Sequence, residues 1–218
     1  MANLYCVPLG HSPRSLFYEK LQNVGYDKGV LVLPSRLLMH QAEREANVRT
    51  IDIDFLANTI LRDNGYIDLE QINRRSQELV IKELVKFLAD RDKLEYFGTL
   101  AEKPGFIKAL TSLVGQLTRS GASEVQILEA LQNWGRSGNQ GQKDWEISQL
   151  YALYRQYLRE NNWFDLEGKY RLAIKVLQED DVKLRWQEVC FSDFYAFDVL
   201  QLEFINALSK RVNVNVGL

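Results

Sequence analysis

Residues 8–15 carry the spacing that comes nearest to chemistry in this 218-residue chain. The run Pro8-x-x-x-x-Pro13-Arg14-Ser15 overlays the phosphate-loop pattern G-x-x-x-x-G-K-[ST], with proline at both glycine positions and arginine in place of lysine. Phosphate binding of that kind needs consecutive backbone N–H groups aimed at the oxygens, and glycines that let the chain come close. Pro8 and Pro13 remove donors, fix φ and add ring bulk. Arg14 keeps a positive charge, but its planar fork does not simply replace a lysine threaded through the loop. Ser15 stands where the magnesium-binding hydroxyl would be, and Gly10 and Ser12 complete the segment. The expectation is a degenerate phosphate loop that holds neither ATP nor magnesium and closes over its own helix end, without room for a triphosphate.

The remaining reactive residue types are sparse. His11 and His40 are the only histidines and are too far apart for a local motif. Cys6 and Cys190 both fall in apolar, strand-like runs, so buried core thiols are expected and no metal site is. No nucleophile elbow is present. Apolar content of 46% and charged content of 26% are ordinary for a globular protein, and a net charge of −2 argues against a strongly basic nucleic-acid module. A local basic groove remains compatible with that sum. With no secretory signal and no apolar run of membrane-spanning length, a cytoplasmic protein without membrane contact is expected.

The elements that must position the loop begin with Leu4–Val7, read as a buried parallel strand. Ser12 and Pro13 then open a helix that closes at Gly25. Val30–Leu33 is a second strand, with Ser35 capping a helix from Arg36 to Ala46. Val48–Ile53 reads as a third strand, with Asp54 capping a helix that ends near Gly65. Two such strand and helix pairs joined by short links imply parallel pairing.

From Asp68 to residue 187 the pattern is helical, with no convincing strand. Ser123 and Gln126 form a capping-box pattern. Ser137–Lys143, polar and glycine-rich, reads as the most flexible loop. Asp165 is placed to cap another helix. All four tryptophans lie in this stretch, where filling a small helical core is favoured over a stacking platform for bases. Strand character returns at Glu188–Phe194, Asp198 caps a helix, and Val212–Leu218 forms a last strand. Ending within a strand suggests a piece of a longer polypeptide. The predicted domains are residues 1–67 with 188–218 as an α/β core, and 68–187 as a helical insertion.

The order of these signals is similar to the N-terminal part of the AddB/RexB subunit of bacterial helicase–nucleases, relatives of superfamily 1 helicases. The resemblance rests on VLVLPSRLLMHQAERE at Val30–Glu45, IDIDFLANTILRDNGY at Ile51–Tyr66, PGFIKALTSLVGQLTRSGAS at Pro104–Ser123 and FSDFYAFDVLQLEFINAL at Phe191–Leu208. It implies a RecA-like parallel sheet interrupted by an all-helical insertion. It also implies that the PD-(D/E)XK nuclease and its iron–sulfur cysteines lie beyond this chain. In the family register a Walker B-like aspartate falls on Ser192, with Asp193 at the following glycine, and Asp193 is expected to accept backbone hydrogen bonds where the strand ends. The loops after the second and third strands would touch DNA, which points to Ser35 and Arg36; Asp52 and Asp54 oppose phosphate by like charge.

The function implied is a nucleotide-inactive, helicase-like DNA-binding and scaffolding module in double-strand-break repair. Its partners would be single- or double-stranded DNA, held weakly, and a motor subunit similar to AddA/RexA. The alternatives are an active ATPase with a divergent phosphate loop and a protein-interaction domain without DNA contact.

Overall fold

The computed structural model describes residues 2–8, 12–67 and 70–217. The chain divides into two compact units, Met1–Ile67 with Lys169–Leu218, and Asp68–Gly168.

The first unit is built on a five-stranded sheet of β1 (Asn3–Tyr5), β2 (Gly29–Val32), β3 (Thr50–Ile51), β6 (Glu188–Phe191) and β7 (Asn213–Gly217). Its order is β1-β7-β6-β2-β3 and every pairing is parallel. Parallel strands require long crossovers, and helices supply them on both faces. Side-chain alternation sorts the residues. From β2, Leu31 joins Phe17 and Leu21 of α1 (Arg14–Val24) and Ala42 of α2 (Arg36–Glu45). Val30 and Val32 point the other way, with Val189, Phe191, Val214 and Val216. That second face is covered by α3 (Ile53–Asp63), α8 (Leu166–Gln178) and α9 (Val199–Ser209), through Leu56, Ile60, Tyr170, Ala173, Leu200 and Phe204. A strand buried on both faces has to be apolar throughout, which is why GVLV and EVCF lie at the centre of the sheet.

The caps explain the element boundaries. Ser35 accepts the Leu38 N–H at 3.4 Å and Gly25 closes α1 at φ 97°. Asp198 and Gln201 form a reciprocal capping box that opens α9.

Five expectations are corrected in this unit. The first strand is an exposed edge strand, not a buried one, with Leu4 63% exposed, and Cys6 just beyond it is exposed while Cys190 is buried. The third strand shrinks to Thr50–Ile51, because Asp52 caps α3 by accepting the Phe55 N–H at 2.6 Å. Asp54, one residue into that helix, accepts instead from Lys169 at 2.8 Å and Tyr170 at 2.7 Å. The return to this unit falls at Lys169 rather than after 187, because α8 sends Tyr170, Ala173 and Leu177 into the core of the sheet, where Trp186 joins them.

The second unit comprises β4 (Glu70–Gln71), α4 (Arg74–Ala89), α5 (Pro104–Arg119), α6 (Glu124–Asn133), α7 (Gly138–Glu160) and β5 (Trp163–Phe164). Its core gathers Val85 of α4, Leu110 of α5, Ile127 of α6 and Tyr151 and Tyr154 of α7. The Ser123–Gln126 capping box forms through bonds of 2.8 and 3.2 Å. Asp165 accepts the Gly168 N–H at 2.6 Å.

Two further readings change here. Glu70–Gln71 and Trp163–Phe164 pair as a short parallel sheet, too brief for any alternation to register in sequence. Residues 138–143 form the first turns of α7 rather than a loop. Gly141 has a reason to be glycine there, since a Cβ would stand 2.6 Å from the Arg136 carbonyl. Of the tryptophans, Trp186 is buried, whereas Trp134 and Trp145 are 62% and 43% exposed.

Candidate functional site

The loops that leave the carboxyl ends of a parallel sheet are where ligands sit in open α/β folds, above all where the strand order reverses. Here the chain passes from β1 at one edge to β2 and β3 on the far side, then returns to β6 and β7 between them. At this carboxyl edge the segment after β1 meets the segment after β6. Ser12 Oγ donates to Asp193 Oδ1 at 3.0 Å and lies 3.3 Å from Oδ2. The same hydroxyl accepts from the Arg14 backbone N–H at 3.2 Å and from Arg14 Nε at 3.0 Å. Arg14 Nε stands 3.1 Å from Asp193 Oδ2, and Ser192 Oγ donates to that oxygen at 2.8 Å.

Four of the residues singled out in sequence, Ser12, Arg14, Ser192 and Asp193, therefore form one cluster, although some 180 residues separate its halves. Among the described residues Asp193 is met by the side chains of Ser12, Arg14 and Ser192 rather than by the backbone N–H groups expected. Its φ of +62° swings the carboxylate back over the start of α1. An aspartate tolerates this left-handed conformation at a cost on the order of 1 kcal/mol.

Burial sharpens the consequence. Arg14 is 8% exposed, and its charge is matched by a carboxylate whose side chain is 20% exposed. The Nη1 atom of Arg14 has no hydrogen-bond partner among the described residues. Pro13 is buried, and its ring packs so tightly on the end of β7 that a Cβ on Gly217 would stand 2.4 Å from Pro13 Cβ. The helix boundary falls one residue later than expected, with Pro13 at the cap position and Ser12 reaching only the Arg14 N–H. Pro8 and Ser15 are exposed, and Gly10 lies outside the described residues. So does the centre of the loop, on which the expected lack of room for a triphosphate partly depends.

The DNA-contact candidates Ser35 and Arg36 are both exposed at the same carboxyl edge, after β2. Ser35 is occupied as the cap of α2. Nearby, Tyr18 of α1 donates to Glu45 of α2 at 2.7 Å. That bond, followed by one from Gln41, holds the Glu45 carboxyl below the usual range, while burial and then Glu45 push the Tyr18 phenol up.

A second polar network lies between α1 and the sheet. The fully buried Asn215 of β7 donates to Glu188 and accepts from Lys20 at 3.3 Å and Asn3 at 3.2 Å, and Lys20 also reaches Tyr5. Burial, then the Glu188 charge, pushes the Cys190 thiol up to about 12. The run VNVNV held the signal for this network. Strict alternation places Asn215 on the face opposite Val214 and Val216, under α1, so a buried polar partner set was legible in it.

Fold and cluster together define a doubly wound parallel α/β unit whose ligand edge is closed by an internal ion pair. Comparison with known proteins supplies the family. The model of the family described as "ADDB, N-terminal" matches residues 35–218, and the chain belongs to that family. The match begins at Ser35 and does not include the Pro8–Ser15 segment. The chain is also 24% identical over 165 residues to a protein of Natranaerobius thermophilus named as a subunit of an ATP-dependent helicase/deoxyribonuclease. That alignment covers 75% of this chain and 14% of the relative's length. Among the described residues no helix is long and apolar enough to cross a membrane.

Proposed function

We propose that the chain is the N-terminal, RecA-like, helicase-like module of a helicase–nuclease subunit, and that it binds DNA and scaffolds without turning over nucleotide. The family match and the relative's name support the assignment to a DNA-processing subunit. The parallel sheet with helices on both faces supports the RecA-like reading.

The loss of nucleotide chemistry is carried by one observation, the 3.1 Å pair between Arg14 and Asp193. A phosphate loop works when its cation faces phosphate and the carboxylate after the opposing strand faces magnesium. Here cation and carboxylate face each other, Ser12 and Ser192 both donate to that carboxylate, and the Pro13 ring covers the end of β7. These residues do not fit a magnesium–nucleotide complex. The iron–sulfur cluster implied by the resemblance likewise has no ligand set in this chain, which carries only two cysteines.

DNA contact is assigned to the exposed carboxyl-edge loops around Ser35 and Arg36, with a motor subunit similar to AddA/RexA as the protein partner and the cytoplasm as the compartment. Fluorescence anisotropy of a labelled single strand tests the DNA assignment. A rise at low salt that collapses as salt is added is expected, because phosphate contacts release counterions. Arg36→Gln should weaken binding across all sequences alike. No change in anisotropy at low salt would leave scaffolding alone as the function.

A further inference from the structure

Asp193 meets its partners as a bound anion would. Ser12 Oγ donates to its carboxylate at 3.0 Å, Ser192 Oγ donates at 2.8 Å, and Arg14 Nε lies 3.1 Å away. A guanidinium and two hydroxyls turned towards one carboxylate form the charge-assisted set that holds oxyanions in general.

Three features separate this donor set from the side chain that fills it. Arg14 is positioned by Ser12, whose hydroxyl accepts from its backbone N–H at 3.2 Å and from Nε at 3.0 Å. Ser192 is fully buried and fixed by the sheet, its backbone N–H donating to the Val32 carbonyl at 3.1 Å. The donors also outnumber what the carboxylate satisfies, since Nη1 of the 8% exposed Arg14 has no hydrogen-bond partner among the described residues. A buried donor left unpaired carries a desolvation cost that a further acceptor removes. The carboxylate reaches the set through a φ of +62° at Asp193, which glycine adopts without penalty. Asp193→Gly therefore removes the anion and leaves the backbone path intact.

From this we infer that Ser12, Arg14 and Ser192 form an oxyanion-binding site, and that Asp193 occupies it as a tethered ligand, an autoinhibitory contact built into the segment after β6. A tethered carboxylate competes at an effective concentration of about millimolar or more, which keeps free carboxylates and phosphates out of the wild type. The contact rests on the nucleotide-inactive reading and adds that the closure is reversed at a single residue.

The test uses the full 218-residue chain. Its melting temperature is followed against acetate, which replaces the missing carboxylate arm of Asp193→Gly, and against inorganic phosphate, with chloride at matched ionic strength as the control. Acetate should raise the midpoint of Asp193→Gly, since a ligand of the native state must do so, and leave the wild type level with chloride. Ser12→Ala added to Asp193→Gly should weaken acetate about tenfold, the loss expected for one hydrogen bond to a charged group. If Asp193→Gly is unfolded in chloride, acetate should restore its far-UV circular dichroism. A response to phosphate as well identifies a site open to phosphate groups, and a response to acetate alone identifies a carboxylate site. No acetate-specific stabilisation or refolding of Asp193→Gly overturns the inference, as does an equal shift in the wild type or one that survives Ser12→Ala unchanged. Turnover plays no part in this readout. ATP hydrolysis by the wild type would remove the nucleotide-inactive reading, whereas an unresponsive Asp193→Gly would remove the anion site alone.

Discussion

The two units place their arginines in opposite settings. At the carboxyl edge of the sheet, the buried Arg14 is matched by Asp193 at 3.1 Å, and two serine hydroxyls complete the carboxylate. In the helical unit, Arg74 has a side chain 73% exposed, with Nε 4.0 Å from Glu78. The first pair is drawn out of water beside the phosphate-loop pattern, and the second is left to solvent. Motif resemblance therefore reports where related folds keep a ligand, whereas the burial and partners of the charges there report whether the place is still open to one.

The same contrast runs through the cores, and truncation tests it most strongly. Phe204 of α9 is fully buried against the sheet. Phe204→Ala is expected to cost about 3–5 kcal/mol, with hydrogen exchange rising first in the strands of the α/β unit. Equal early loss of protection in α4 and α5 would mean that the two cores are one cooperative body. The helical counterpart is Glu146, fully buried and accepting the N–H groups of Tyr96 at 2.7 Å and Phe97 at 3.0 Å. Glu146→Ala should cost about 2–4 kcal/mol by orphaning both donors, read as a lower urea midpoint at unchanged m-value. A loss below about 0.5 kcal/mol would show that the segment before α5 relaxes onto water.

Much of this architecture was legible in the sequence, for identifiable reasons. The strands GVLV and EVCF announce themselves because burial on both faces leaves them almost no polar position. The caps at Ser35, Ser123 and Asp198 are local side-chain chemistry, visible within four residues. Asn3–Tyr5 misleads because an apolar run does not reveal whether a strand is central or at an edge, and edge position depends on β7, more than 200 residues away in sequence. Ser137–Lys143 misleads because glycine and polar composition mimic a loop, while the close approach to the Arg136 carbonyl that Gly141 permits is a tertiary fact. In the candidate site, Ser12, Arg14, Ser192 and Asp193 were individually legible. That Asp193 would neutralise Arg14 was not, since it follows from a backbone φ of +62°.

A smaller effect sharpens the account of the edge network. The Cys190 thiol is pushed up to about 12 by burial. An acid whose pKa is raised on folding contributes stability below its unfolded pKa of about 8.5, and that contribution is lost as pH rises towards the folded value. Wild type should therefore lose stability between those limits faster than Cys190→Ala. At neutral pH a thiol reagent should label the exposed Cys6 at once and Cys190 only on unfolding. Prompt labelling of two thiols would mean that α1 lifts from the sheet readily.

The central claim, that Arg14 is engaged by Asp193 and so withheld from phosphate, is tested most directly by magnesium-dependent ATP turnover of the wild type beside Arg14→Ala. The ion pair predicts no turnover above background in either protein. Turnover in the wild type that disappears in Arg14→Ala would contradict it.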